Sequence, residues 1–395
     1  MNYLRILRRE HFFRVLFGSW VGRLPTAMAA VAIPLALRDS GADFVFIGLV
    51  AGCFAISSAI AGPVIGRVVD RVGQPKVLVP TALLSAAGYV TIAAAPTAHT
   101  AVVVGAVLAG ALTPPLEPCL RVLWPSIVDE DELDNAYAVD SAAQEMVFVA
   151  GPLVVTLCVA VFAPITALWA QATLTLVGVL VFATAKPSLR WRPEQVGERH
   201  WLGPLRKLGL ALLLLAPAGI GFAIGTLNVL VVSYAERNPL PGGAPVLLTL
   251  NSFASLVGVL IYGAITWTWE PRTRILLFAC GLVVGYGMLV LVPGPLAMAG
   301  LMLLTGFFLA PMLAAVFGLI GDLAPRGTVT EAFAWLVTLF AAGNSFGAAA
   351  VGPLLQRDEL HTAAANASYG SVACLVLVIL GYRLMKPTPA AVQAA

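Results

Sequence analysis

Charge is what this chain has least of. Only 11% of its 395 residues are Asp, Glu, Lys or Arg, and 59% are hydrophobic, against roughly 25% charged in soluble domains. That balance excludes a water-soluble fold and puts the chain in a bilayer. A net charge of +3 over the whole length excludes a basic patch dense enough for nucleic acid. Cysteine is scarce too: Cys53, Cys119, Cys158, Cys280 and Cys374 all fall in apolar runs with no C-x-x-C spacing, so they read as packing residues, neither disulfides nor metal ligands. His11, His99, His200 and His361 sit in loops or at the ends of apolar runs, which excludes a histidine proton relay through the membrane. Neither a P-loop nor H-E-x-x-H nor zinc spacing occurs; an ATP-driven pump within this chain and a metalloprotease drop out, and no cofactor is expected. "GNSFG", Gly343 to Gly347, fits the nucleophile pattern Gly-x-Ser-x-Gly, but it lies mid-run without an intramembrane histidine and reads as helix packing. "GSWVG" (Gly18, Gly22) and "GLVVG" (Gly281, Gly285) read the same way.

What the chain has is apolar runs of membrane-crossing length, about 20 residues each. Twelve are expected, at about 12–37, 44–66, 77–95, 100–124, 138–160, 162–185, 208–234, 245–268, 275–292, 296–320, 332–355 and 364–385. The first is too long for a secretory signal core of roughly 7 to 15 residues and reads as an uncleaved span. Of the 23 Lys and Arg residues, 19 fall on one side of this arrangement and only Arg38, Arg237 and Arg357 on the other, with Arg23 inside a span. By the positive-inside rule both termini face the cytoplasm, across the cytoplasmic membrane of a cell. The longest aqueous stretch, 186–207, would link two halves, 1–185 and 208–395, the second ending in a short cytoplasmic tail. A shift of 196 residues lays "LAG" at 108–110 on "LTG" at 304–306, Pro115 on Pro311, "AYA" at 136–138 on "AFA" at 332–334, and Gly151 on Gly347. Weak repeats of this kind mark transporters built from duplicated bundles, with substrate bound between them near mid-membrane.

Between the second and third runs stands "GRVVDRVGQPKVL", Gly66 to Leu78. Gly66 would let two helices approach closely; Asp70 could accept from a neighbouring helix N-terminus or an arginine. The stretch resembles the signature loop of the major facilitator superfamily, Gly-x-x-x-Asp-Arg-x-Gly followed by basic residues. Gly66, Asp70, Arg71, Gly73 and Lys76 match it at the position it occupies there, after the second of twelve spans. Gln74-Pro75 departs from it, and the loop after the eighth run, "GAITWTWEPRTR", keeps only Gly263. The resemblance implies an all-α polytopic membrane protein, twelve helices in two six-helix bundles related by a pseudo-two-fold axis, of the twelve-span bacterial type. It also implies that Asp70 and Arg71 belong to a cytoplasmic gate, with Arg121, Asp140 and Glu145 as further members or partners of that charge cluster. The span-four pattern Arg-x-x-Gln-Gly is replaced by "TPPLEPCLR", whose Pro114, Pro115 and Pro118 should break or kink the helix around Glu117. The span-five antiporter pattern survives only as Gly151-Pro152.

Ionisable residues at membrane depth mark a pathway or a coupling site. They are Arg23, Glu117 and Glu145, with Asp140 and Arg121 nearer the cytoplasmic boundary, and all lie in the first half. Arg23 is about 11 residues up its span, roughly 16 Å, and cannot shed its proton, so it must be paired, hydrated or matched by an anionic substrate. The resemblance implies that spans one and four both line the central cavity, and side-chain lean then brings Arg23 and Glu117 together and carries Glu145 away. Arg121, one turn from Glu117, is the competing partner. Asn228, Tyr234, Asn251, Asn344 and Ser345 in the second half could line a cavity or bond between helices. The expected function is proton-coupled secondary transport of a small molecule by a monomer in the lipid bilayer, with export of a drug-like compound or metabolite favoured over import. The alternative from another class is a non-transporting sensor or scaffold on the same fold.

Overall fold

The computed structural model describes residues 3–194, 202–238, 243–357 and 359–386; His200, Arg199 and the tail from 387 lie outside them. The described chain is all helical. Twelve helices are long and apolar enough to cross a membrane: Phe12–Asp39, Val45–Val72, Gln74–Ala94, His99–Ile127, Glu130–Val161, Thr166–Ala183, Leu208–Arg237, Gly243–Ala264, Pro271–Leu289, Pro295–Leu323, Val329–Gln356 and Leu360–Gly381. They are called spans one to twelve. Spans two to five and nine to eleven outrun their apolar runs at the end where most Lys and Arg lie, here called the cation-rich end. Polar side chains there can leave the hydrocarbon while the backbone ladder continues.

Two consequences follow for the expected boundaries. The signature stretch is not a loop: span two runs to Val72 and span three begins at Gln74. One residue, Gly73, joins them, with φ 105°, a conformation that costs glycine little and side chains much. Pro75 then fits the first turn of span three, where a missing N–H is harmless. In addition, the helix of span five begins at Leu133, five residues before its apolar run, so Asp140 lies about two turns inside it.

Spans four and ten are each broken. Span four is helical over His99–Ala111 and again over Leu116–Ile127, because Pro114 and Pro115 supply no N–H to the ladder. Span ten breaks between Pro295–Phe307 and Leu309–Leu323, at the position the 196 shift assigns. The neighbouring glycines match as well: a Cβ on Gly110 would meet Phe54 of span two, and one on Gly306 would meet Asn251 of span eight.

The spans pack chiefly within the first six and within the last six, and the main contacts between these sets join spans two, four and five to eight, ten and eleven. At the cation-rich end one apolar core crosses between the sets, from Phe12, Leu120 and Trp124 to Phe317, Ile320 and Phe333. Towards the other end the first six spans bury a separate core, including Met28, Ile33, Tyr89 and Leu168, with no member from the last six. Among the described residues the two sets therefore share a buried core at the cation-rich end.

Candidate functional site

Four charged residues from three spans meet above that shared core. Arg23 of span one donates from Nη1 to Asp140 Oδ1 at 2.8 Å, and Arg121 of span four donates from Nε to Asp140 Oδ2 at 2.8 Å. Arg121 Nη2 also lies 2.5 Å from Glu117 Oε1, one helical turn away, and Arg23 Nη2 lies 3.6 Å from Glu117 Oε2. Formally the quartet is neutral. The Asp140 side chain has no exposure and Arg23 is 7% exposed; the Glu117 side chain, at 18%, is the most open member. Both Asp140 oxygens are held by arginines, so Asp140 is the common counter-ion, whereas Glu117, on the first turn of the second half-helix of span four, has one short contact, to Arg121, and one longer one, to Arg23. Arg23 Nε and Nη2 and Arg121 Nη1 are buried donors without a hydrogen-bond acceptor among the described residues. The Arg121 guanidinium stacks over Phe317 of span ten at 3.4 Å and approaches Phe333 of span eleven at 5.6 Å, so the quartet touches the second half through cation–π contact.

This geometry rearranges the expected partnerships. Arg23 and Glu117 do converge, but the short partner of Arg23 is Asp140, which the sequence places at a boundary gate. The local i, i+4 pair of Glu117 with Arg121 is also formed, and it is the shorter of Glu117's two contacts. Glu145 does not join Arg121 or the gate: it accepts from Ser255 Oγ of span eight at 3.0 Å.

The signature residues sit at the cation-rich end, between spans two and eleven. Asp70 Oδ1 and Oδ2 accept from the backbone N–H groups of Thr330 at 3.2 Å and Glu331 at 2.9 Å, at the N-terminus of span eleven, where the helix dipole favours an anion. Gly66 makes room for this approach, since a Cβ there would stand 2.9 Å from that of Ala334. The cation of this contact is Arg67, not Arg71: Arg67 Nε and Nη2 grip Glu331 at 3.0 and 2.5 Å, while Arg71 and Lys76 are exposed. A second contact joins span five to spans eight and nine, where Asp134 accepts from Arg274 of span nine at 2.6 Å and from Tyr262 of span eight at 3.2 Å. Sequence reasoning missed Arg67, Glu331, Asp134 and Arg274 as a set. Their partners are distant in the chain, and only the 196 shift, which puts Asn135 on Glu331, hints at paired contacts.

The second-half polar groups divide. Asn251 donates to Met302 O and Thr305 Oγ1, tying span eight to span ten, and Tyr234 donates to Pro293 O, tying span seven to the connection before span ten. Asn228 and Ser345 are exposed and Asn344 half-buried. Gly343 and Gly347 lie against the backbone of Ala218 and Phe222, as a packing face requires.

Comparison with known proteins decides the family. A profile described as "Major Facilitator Superfamily" matches residues 15–348. The chain belongs to the major facilitator superfamily. No curated protein sequence matches it. Among solved structures it resembles a bacterial homologue of the iron transporter ferroportin in the outward-facing state, at 15% identity and TM-score 0.78, covering 94% of this chain and 99% of that one. It also resembles the transporter FucP in the outward conformation, at 14% and 0.74, covering 98% and 100%. The human organic anion transporter MFSD10 stands at 14% and 0.71, with the same coverage. These likenesses show a shared fold. As a superfamily member the chain is a multi-pass membrane protein of a transporter family, built to move a small molecule, and not an enzyme.

Proposed function

We propose that this superfamily member is a proton-coupled secondary transporter working by rocking of two bundles, 1–185 and 208–395, joined by 186–207. The Arg23–Asp140–Arg121–Glu117 quartet is its coupling site. One observation carries the reading: a neutral set of four charges buried at membrane depth in which a single carboxyl, Glu117, is partly open. Buried charges are expensive unless paired, so any change in the protonation of Glu117 must be matched by another charge or by a change of shape. The Asp70–span eleven and Asp134–Arg274 contacts are the two latches that close the cation-rich end, and with both termini on the cytoplasmic side the closed end is the inner one.

Direction follows from how substrate and proton share Glu117. A substrate that competes with the proton for Glu117 leaves as protons enter, the export of a drug-like compound or metabolite that Gly151-Pro152 suggests. A substrate that needs Glu117 neutral enters with the proton.

Purified protein in liposomes loaded with a pH-sensitive dye tests the coupling. Compounds from a small-molecule panel that move in wild type should change lumenal pH. In Glu117→Gln the same compounds should still exchange across the membrane while the pH change disappears. A full pH change in Glu117→Gln would remove Glu117 from the coupling role.

A further inference from the structure

The charge on the substrate can be read from the unused face of Arg23. A guanidinium offers two hydrogen-bonding edges, and in Arg23 one nitrogen, Nη1, is taken by Asp140. The Nε–Nη2 edge is buried and carries no hydrogen bond. That edge is a planar fork of two parallel N–H groups whose geometry matches the two oxygens of a carboxylate. The same protein shows the match elsewhere, because Arg67 grips both oxygens of Glu331 with its Nε and Nη2.

The fork points at a second attractor for anions. Its Nη2 lies 3.6 Å from Glu117 Oε2, and Glu117 stands in the first turn of the half-helix Leu116–Ile127. The break at Pro114–Pro115 creates this N-terminus inside the membrane. Half-helix N-termini of discontinuous spans carry the positive end of the dipole and face anionic substrate groups. Thr26 and Ala30, one and two turns beyond Arg23 on the same helical face, are exposed. Phe13 and Phe17, on a different face, are exposed as well.

We propose that the Nε–Nη2 edge of Arg23, together with the N-terminus of the second half of span four, receives a monoanionic carboxylate substrate, and that the charge of Glu117, 3.6 Å from Nη2, balances that edge when the site is unloaded. The proposal rests on the coupling role given above to Glu117. Charge counting fixes the stoichiometry. With Glu117 ionised the quartet is neutral and has no room for another anion; with Glu117 protonated it carries one positive charge and takes one negative charge. Arg23, Arg121 and Asp140 are the charged groups facing Glu117 from spans one, four and five, and spans ten and eleven contribute only Phe317 and Phe333 there, through Arg121. Carboxylate and proton therefore travel together, as in symport, and an inward proton gradient drives uptake.

The test is thermal unfolding of the detergent-purified, full-length protein at fixed pH and ionic strength. The probes are acetate, benzoate and succinate, with benzyl alcohol and benzylamine as the neutral and cationic counterparts of benzoate. At least one carboxylate should stabilise the wild type. Glu117→Gln, which frees the fork permanently, should bind that carboxylate about tenfold more tightly. Adding Arg23→Gln to Glu117→Gln keeps the remaining Arg121–Asp140 pair neutral, and it should abolish the effect. Arg23→Lys, which keeps the charge without the fork, should lose most of it. No response of Glu117→Gln to any carboxylate, or an equal response after Arg23→Gln, would overturn the proposal, as would stabilisation by benzylamine in place of benzoate. Loss of proton coupling in Glu117→Gln liposomes together with transport of a neutral or cationic compound would sink the carboxylate proposal alone. Carboxylate binding with coupling intact in Glu117→Gln would sink the coupling role alone.

Discussion

Among the residues of the quartet, position decides role more than residue type. Asp140 and Glu117 are both carboxylates beside the same two arginines, yet Asp140 is held by both and fully enclosed, while Glu117 is partly open. Removing the charge of Asp140 leaves Arg23 and Arg121 facing one acid. Breaking a buried pair in this way costs about 3–5 kcal/mol. Asp140→Asn should therefore lower the unfolding midpoint of the purified protein markedly, whereas Glu117→Gln should lower it little. Equal midpoints for the two variants would show that the acids share one role. The sequence shows that Arg23 needs a partner, because a permanent charge deep in an apolar run cannot stand alone. It does not show which acid supplies the short contact. The apolar run of span five begins at 138, whereas its helix starts at Leu133, so Asp140 lies about two turns inside the helix, where it meets Arg23.

Element by element, the sequence is most readable where one element explains itself. Twelve apolar runs become twelve spans, and three prolines in "TPPLEPCLR" announce the break in span four, because hydrophobicity and missing N–H groups are local properties. The latches are less readable. Gly66 and Asp70 can be read from the signature, but Arg67 and Glu331 are 264 residues apart, and nothing local to either says that they touch. Their geometry gives an expected outcome. Arg67→Glu sets like charges against each other beside Asp70 and should loosen the closed end, shifting its closed-to-open ratio about tenfold, near 1.4 kcal/mol. Adding Glu331→Arg should restore much of it. Cysteine cross-linking between spans two and eleven reads the ratio, and failure of the second change to recover any cross-linking would show that the pair contributes nothing to closure.

Across the whole molecule, the two sets of six spans share a core at the cation-rich end, while towards the other end the first set buries a core of its own. The two latches and the aromatic stack over Arg121 all belong to the shared end. A ligand or proton that changes Glu117 changes the charge on Arg121's neighbours, and Arg121 leans on Phe317 and Phe333 of the opposite set. Site and shared core are thus in contact without an intermediary, as a two-state machine requires if binding is to bias its equilibrium. Alternating access in the proposed transporter requires that closed end to open as a unit. The most direct measurement is the electron–electron spin distance between labels at Ser126 and Arg326, both exposed and on opposite sets near the cation-rich end. Wild type should give a dominant short distance. Asp70→Asn combined with Asp134→Asn, which weakens both latches, should move population to a longer one while the protein remains inserted and folded. A distance distribution unchanged by the double variant would contradict the account.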